Sequence, residues 1–541
     1  MKSLKSKLTA LFLIAAISIS VSYKSDFFEI AKQIEIYTTL FKELNLYYVD
    51  EINPAEVMDK AIENTLANLD PYTRFYDEQG VINARISAEG AYGGIGASIV
   101  YRNGNLIIRE VFEDNPAQKS GLKVGDEIIE INNTILKEQT EEVVRSFLKG
   151  LPNSTVNMKV MRQNQEMSFK LSRETVEIDA VPFYQMIDDE VGYIAFVKFN
   201  RKASDQVKNA IEDLKSQGMQ KLIIDVRHNP GGLLNEAVEI VNFFIPKNKV
   251  VVTTRAKLEK WSNTYKTRKE PLDIEIPLTI LIDERSASAS EILAGALQDY
   301  DRAVIIGKRS FGKGLVQRSR KLSYGTQLKL TISKYYTPSG RCIQELDYTN
   351  RKGDSIPKFS DGGVNEFKTE NGRIVFDGGG VSPDLKIDMP EKTEATKRLL
   401  VSDGIYNYAT DYYYKHTTIG EVSKFELDKR EFELFKEYLN KHPKSFQLNS
   451  EKYFDEALEK SEKDNLSISK AYQELQANIQ TEKIAALNSN KEEIMEALTL
   501  KIVNQYYFRT GEYQYKISFD KTIKGAIKLL QDEEKYTAIL R

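Results

Sequence analysis

Asp283-Glu284-Arg285-Ser286-Ala287-Ser288-Ala289-Ser290-Glu291-Ile292-Leu293-Ala294-Gly295-Ala296-Leu297-Gln298-Asp299 joins a strand, Leu278 to Asp283, to a helix expected from about Ser290 to Leu297. Ser288 with Glu291 three residues on has the form of a capping box. The same place suits a nucleophile, because the N–H of the next residue, Ala289, points toward a carbonyl under attack. A hydroxyl is a weak nucleophile until a base takes its proton, and a desolvated lysine amine can be that base. Lys313 lies downstream in Gly307-Lys308-Arg309-Ser310-Phe311-Gly312-Lys313-Gly314-Leu315-Val316-Gln317.

Lys313 must be judged by its surroundings. An ordinary lysine titrates near 10.4, so only about one in a thousand is neutral near pH 7.5. Desolvation or neighbouring cations must lower that value. Gly312 and Gly314 leave room for close packing around the Lys313 stem, and Lys308 and Arg309 would disfavour protonation if they pointed inward. Gln317 falls on the same side as Lys313, one helical turn or two strand periods away. Ser286 and Ser290 are set aside by their spacing to Lys313.

Upstream, Lys221-Leu222-Ile223-Ile224-Asp225-Val226-Arg227 reads as a buried strand entering His228-Asn229-Pro230-Gly231-Gly232 and a helix from about Leu233. A Pro-Gly-Gly turn at such a junction exposes backbone N–H groups that can stabilise an oxyanion. Asp225, His228 and Ser288 offer a rival Ser-His-Asp set. It is disfavoured because Asp225 and His228, three apart at a strand end, point to different faces.

The length of 541 residues implies several domains, and 41% hydrophobic with 29% charged residues reads as globular. A net charge of −3 gives no basic footprint for nucleic acid. The single cysteine, Cys342, excludes an intramolecular disulfide framework and a cysteine-based zinc site, and His228, His416 and His442 show no metal-ligand spacing. Neither a metal nor a cofactor is expected. Lys2, Lys5 and Lys7 precede an apolar run from Leu8 to Val21, so residues 1–25 are expected to be a signal peptide or an uncleaved anchor. The body would then be exported, periplasmic, and either soluble or held at the membrane by that segment.

Phe27, Ile30, Ile34, Tyr37, Phe41 and Leu44 recur at helical spacing, and Pro54 can open a second helix. This unit cannot bury its own faces and should pack on another domain or a second subunit. From about Gly90 short strands and glycine turns take over. Gly93-Gly94-Ile95-Gly96-Ala97-Ser98-Ile99-Val100 sets a glycine loop before an alternating strand, and Asn115-Pro116-Ala117-Gln118-Lys119-Ser120-Gly121-Leu122-Lys123-Val124-Gly125-Asp126 follows it. Together these two segments resemble a PDZ domain. Gly94, Ile95, Gly96 and Ala97 match its carboxylate-binding loop, and the following strand edge can accept an extended peptide. Ile95, Ala97, Val144 and Leu148 are the expected apolar specificity pocket, with the helix opening at Thr140 as one groove wall.

With the PDZ segment, the Ser288 and Lys313 segments resemble the carboxy-terminal processing, or tail-specific, serine proteases. The likeness extends through the turn Leu69-Asp70-Pro71-Tyr72-Thr73, through Leu328 to Arg341, and through Gly380-Val381-Ser382-Pro383-Asp384, so it covers roughly residues 26–390. His228 departs from it, standing where a small uncharged or amide residue is expected. The resemblance implies a Ser288–Lys313 dyad with Gln317 orienting the lysine amine. It implies an oxyanion site from the N–H groups of Ala289 and Gly231 or Gly232, and protein substrates recognised by free C-terminal tails. The alternative is a non-catalytic PDZ scaffold on a protease fold. A hydrolase of small esters would leave the PDZ module without a task.

The expected architecture is multidomain, α/β and α+β: a helical N-terminal unit (26–85), a PDZ domain (86–175), a ββα-type serine protease core (176–390) and a helical C-terminal region (391–541). In the last, Lys429–Lys441, Glu451–Lys463 and Ile468–Leu487 read as helices, with an apolar stripe from Phe454, Leu458, Tyr472, Leu475 and Ile479. Terminal helices of this kind are expected to serve packing, a homodimer or an adaptor protein.

Overall fold

The computed structural model describes residues 27–541 except 103, 354, 388–389, 465 and 467. The leader expected over 1–25 lies outside the described residues, and among these no helix is long and apolar enough to cross a membrane. The chain divides into two compact units, Met1–Tyr76 with Ser319–Leu330, and Asp77–Arg318 with Thr331–Arg541.

In the first unit a helix over 27–47 precedes the helix Pro54–Ala67. Asn53 caps the second helix by accepting from the N–H groups of Ala55 and Glu56, and Pro54 takes the first helical position, where no N–H is needed. A short strand, Arg74–Tyr76, pairs antiparallel with residues 327–329. The apolar stripe foreseen on the first helix stays open: Phe27, Ile30, Ile34 and Tyr37 are 42–69% exposed.

The centre of the second unit is a six-stranded sheet in the order Phe183–Met186, Val191–Ala195, Lys221–Asp225, Leu278–Ile282, Val304–Gly307, Leu385–Lys386. Its first pair is antiparallel and the rest are parallel. Parallel strands covered on both faces read as unbroken apolar runs. Accordingly Ile194, Leu222, Ile224, Ile280 and Ile305 pack toward the helices Ala203–Ser216, Leu234–Asn242 and Ala289–Asp299. Tyr193, Ile223, Leu281, Val304 and Ile306 pack the other way, against Ile523, Ala526, Leu529, Leu530 and Tyr536 of the last two helices, Lys521–Gln531 and Glu533–Leu540. The C-terminal end of the chain is thus the second helical layer of this six-stranded sheet. Tyr536 seals the contact, its hydroxyl donating to Leu278 O at 3.1 Å and accepting from Leu278 N at 2.8 Å.

The PDZ-like segment forms an antiparallel sheet in the order Ala97–Arg102, Asn105–Val111, Glu127–Ile131, Thr155–Arg162, Gln165–Ser172, with Thr134–Ile135 added beside Glu127–Ile131. Ala97–Arg102 is an edge strand. Of the residues of the expected specificity pocket, Ile95, Val144 and Leu148 are 3%, 0% and 6% exposed and join the domain's core, and Ala97 is partly open. A short helix, Glu141–Ser146, sets Val144 into that core.

Residues 394–519 build a helical domain around Leu399, Phe432, Phe435, Leu439, Leu498 and Ile502. Its long helix Lys491–Phe519 is broken at Tyr507 and Phe508, where φ reaches +56°. This domain grips the PDZ sheet through Tyr406 Oη on Ile108 O (2.7 Å), Tyr414 Oη on Val124 O (3.0 Å) and a two-pronged Arg509–Glu110 pair (2.6 and 2.9 Å). The stripe foreseen at Phe454 and Leu475 is only partly covered.

Candidate active site

Three serines crowd the turn after Leu278–Ile282, and the structure sorts them. Ser286 is buried, its hydroxyl donating to Val226 O at 2.8 Å, and Ser290 is buried, donating to Asn229 O at 2.9 Å. Both hold the turn against the neighbouring strand end. Ser288 is the partly exposed one. It stands at the start of Ala289–Asp299 with φ +56° and ψ −111°, a backbone conformation that a side chain rarely adopts. The strain is held from two sides: Tyr335 donates its hydroxyl to Ser288 O at 3.1 Å, and Glu291 Oε2 accepts the Ser288 N–H at 2.7 Å.

Glu291 is the residue whose importance the sequence conceals. It is fully buried, and besides capping Ser288 it receives Ser310 Oγ (2.6 Å) and Gly312 N (2.7 Å) on Oε1 and Lys313 N (2.9 Å) on Oε2. One carboxylate therefore stitches the serine turn to the lysine loop. Burial raises its pKa above the ordinary value, and the donors from Ser310, Lys313, Gly312 and Ser288 offset only part of that rise.

Around Lys313 the two glycines admit close neighbours. A methyl on Gly312 would lie 2.7 Å from Glu345 Cβ, and one on Gly314 would lie 2.8 Å from Gln344 N. Lys313 itself is half-buried. Lys308 and Arg309, the neighbouring cations, are engaged elsewhere: Lys308 lies 3.8 Å from Glu284, and Arg309 donates to Gly379 O at 2.9 Å. Gln317 sits on the strand Leu315–Lys321, half-buried, with Nε2 donating to Thr331 Oγ1 at 3.2 Å.

The Pro230-Gly231-Gly232 turn lies against the serine: a methyl on Gly231 would fall 2.8 Å from Ala289 N and 3.0 Å from Ser288 Cβ, and one on Gly232 would fall 2.2 Å from Phe199 O. Gly231 has φ +89° and Gly232 +153°, so only glycine serves at either place. The Gly231 N–H donates to Asn229 Oδ1 at 2.9 Å. Asn229, unmarked in the sequence, ties the turn together, since its carbonyl also accepts from Ala287 N (3.1 Å).

His228 does not join Asp225. Its Nδ1 lies 3.0 Å from Asp283 Oδ2 and its N–H donates to Asp283 Oδ1 at 2.9 Å, while Asp225 is bound by Arg227 and Tyr193. The rival triad is not assembled. In the PDZ-like domain the loop carbonyls are tied inward, Ile95 O by Ala117 N (2.8 Å) and Gly96 O by Phe112 N (2.9 Å), beside the open edge of Ala97–Arg102.

Comparison with known proteins agrees with this layout. Residues 190–349 match "Peptidase family S41", residues 93–172 match "PDZ domain", and residues 395–530 match "Probable PDZ-protease, C-terminal helical domain". A carboxy-terminal-processing protease of Bartonella bacilliformis is 30% identical over 348 residues, 63% of this chain and 79% of its own length. A "Probable CtpA-like serine protease" of Staphylococcus aureus (strain MRSA252) is 33% identical over 311 residues, 56% of this chain; the chain spans 61% of that relative. A solved photosystem II D1 C-terminal processing protease aligns at 25% identity over 65% of this chain and 86% of its own, with a TM-score of 0.36.

Proposed function

Since this chain belongs to peptidase family S41, the carboxy-terminal-processing proteases, we propose that it is a serine endopeptidase using a Ser288–Lys313 dyad on exported proteins. Its substrates are chosen by their free C-terminal tails. The observation that carries this reading is the Glu291 clamp, which fastens the only part-exposed serine of the turn to the backbone of Lys313. Neutral Lys313 takes the Ser288 proton as Oγ bonds to the peptide carbonyl carbon. The oxyanion is held by the N–H groups of Ala289 and Gly232. Collapse of the tetrahedral species breaks the C–N bond, with Lys313 delivering the proton to the leaving amine. Water, deprotonated by Lys313, then hydrolyses the acyl-enzyme. Gln317, through its amide oxygen, orients the lysine. Serine, lysine and backbone donors supply nucleophile, base and oxyanion site, so the chemistry calls for no cofactor.

The test is digestion of casein by wild-type and Ser288→Ala protein, followed by mass spectrometry of the fragments. Loss of all fragments is expected for Ser288→Ala and for Lys313→Ala, with the double variant no worse than either single one. Undiminished cleavage by Ser288→Ala would end the proposal, and absence of cleavage by the wild-type protein would favour the scaffold reading. The exposed apolar face of the first helix supports a homodimer through the N-terminal helices, checked by sedimentation equilibrium of wild type against Ile30→Glu/Ile34→Glu.

A further inference from the structure

The strand Lys221–Asp225 leads directly into the oxyanion turn, and the link between them is anchored in the C-terminal layer. Arg227 donates from Nε to Asp225 Oδ1 (2.9 Å) and from Nη2 to Asp225 Oδ2 (2.7 Å). Its remaining arm, Nη1, donates to Asp520 Oδ2 at 2.8 Å. Tyr193 Oη closes the cluster on Asp225 Oδ2 at 2.9 Å. All three charged side chains are at most 16% exposed, so the contact is scarcely screened. Burial would raise the pKa of Asp225, and Arg227 more than reverses this.

Asp520 is itself fixed. Its Oδ1 accepts the N–H groups of Thr522 (2.8 Å) and Ile523 (2.9 Å), capping the helix whose Ile523, Ala526, Leu529 and Leu530 pack on the catalytic sheet. The carboxylate thus has one oxygen on a rigid helix and the other on the residue that precedes His228. From there the turn continues through Asn229, whose carbonyl holds Ala287 and Ser290 and whose amide oxygen holds Gly231.

Building on the proposed peptidase reading, we infer that Asp520 is a positioning residue for catalysis. Through Arg227 it sets the turn that carries Gly231 and Gly232 against Ser288 and Ala289. The C-terminal helical layer then does more than cover an apolar face: it fixes where the oxyanion donors stand. Misplacement of catalytic geometry by about 1 Å can lower turnover about 100-fold.

Asparagine caps a helix as well as aspartate does, so Asp520→Asn keeps the cap and removes the charge that holds Arg227. Arg227 retains Asp225, which protects the fold. The full chain is assayed on an internally quenched peptide built on a cleavage site found in casein, with thermal unfolding measured in parallel. Asp520→Asn should lower kcat about tenfold with KM within about twofold and little change in Tm. Arg227→Lys, which keeps the charge and loses the fork, should act in the same direction. The control is Thr393→Ala, which removes a helix cap elsewhere in the C-terminal domain; it should lower Tm and leave kcat alone. Wild-type kcat in Asp520→Asn overturns the inference, as does a loss of activity that merely tracks a fall in Tm. Ser288→Ala separates the two levels: if it is inactive while Asp520→Asn is normal, the positioning role alone falls.

Discussion

The backbone N–H groups of Ser288 and Lys313 donate to the same atom, Oε2 of Glu291, at 2.7 and 2.9 Å. The serine turn and the lysine loop, from separate segments, are thereby referenced to a single buried oxygen. Glu291→Gln tests this directly. An amide can accept on one side only, and on the other its NH2 would face two donors, the Ser288 and Lys313 N–H groups or the Ser310 hydroxyl and Gly312 N–H. The variant should fold less stably by about 1–3 kcal/mol and lose about 100-fold in kcat. Urea titration and peptide hydrolysis measure the two effects. Near-normal turnover would show that the clamp serves folding alone.

The parts of this site that the sequence revealed are those with local causes. Leu222–Ile224, Leu278–Ile282 and Val304–Ile306 announce buried parallel strands because every residue meets a covered face. Gly231 and Gly232 announce a turn because no other residue adopts their backbone angles beside a neighbouring chain. Glu291 looked like an ordinary capping residue because its other partners, Ser310, Gly312 and Lys313, come from a loop with no local relation to it. For the same reason Lys521–Leu540 looked like more of a helical appendage. An amphipathic stripe records that a helix covers something, without recording what. Ile95 is at once a position of the loop motif and a member of the domain's core.

Asp283 makes a pH-dependent contribution. Burial would raise its pKa, but His228, through ring and N–H, and the Arg285 N–H bring it down to about 2. A group depressed in the folded state stabilises it fully above the unfolded value, near 3.9, and loses that contribution as pH falls through the folded one. The stability gap between wild type and Asp283→Asn should therefore narrow by on the order of 2 kcal/mol between pH 5 and pH 2. Urea melts across that range give the answer, and a gap independent of pH would contradict it.

The Arg509–Glu110 pair joins the break in the long C-terminal helix to the PDZ sheet, with Arg509 also lying over the Phe112 ring at 5.0 Å. Because the arginine side chain is 54% exposed, its contribution is modest, about 1 kcal/mol despite the two-pronged geometry. A double-mutant cycle with Arg509→Ala and Glu110→Ala should return a coupling of about that size in thermal stability. Zero coupling would mean that the domains are not held by this pair in solution.

Gly96 decides whether the PDZ-like loop can hold a carboxylate. It has φ +73°, and a side chain there would start 2.2 Å from Asn115 Cβ, so Gly96→Val is both strained and obstructed. The loop carbonyls of Ile95 and Gly96 are already bonded inward, which suits the facing N–H groups to an anionic acceptor at the start of the free edge Ala97–Arg102. Charge-assisted bonds are roughly twice as strong as neutral ones. In the uncleaving Ser288→Ala background, a fluorescent peptide ending in a free carboxylate should therefore bind at least about tenfold more tightly than its amide. Gly96→Val should erase that preference. It should also slow digestion of casein more than hydrolysis of a short quenched peptide that reaches Ser288 unaided. Equal binding of acid and amide would remove tail recognition from the mechanism while leaving the Ser288–Lys313 chemistry untouched.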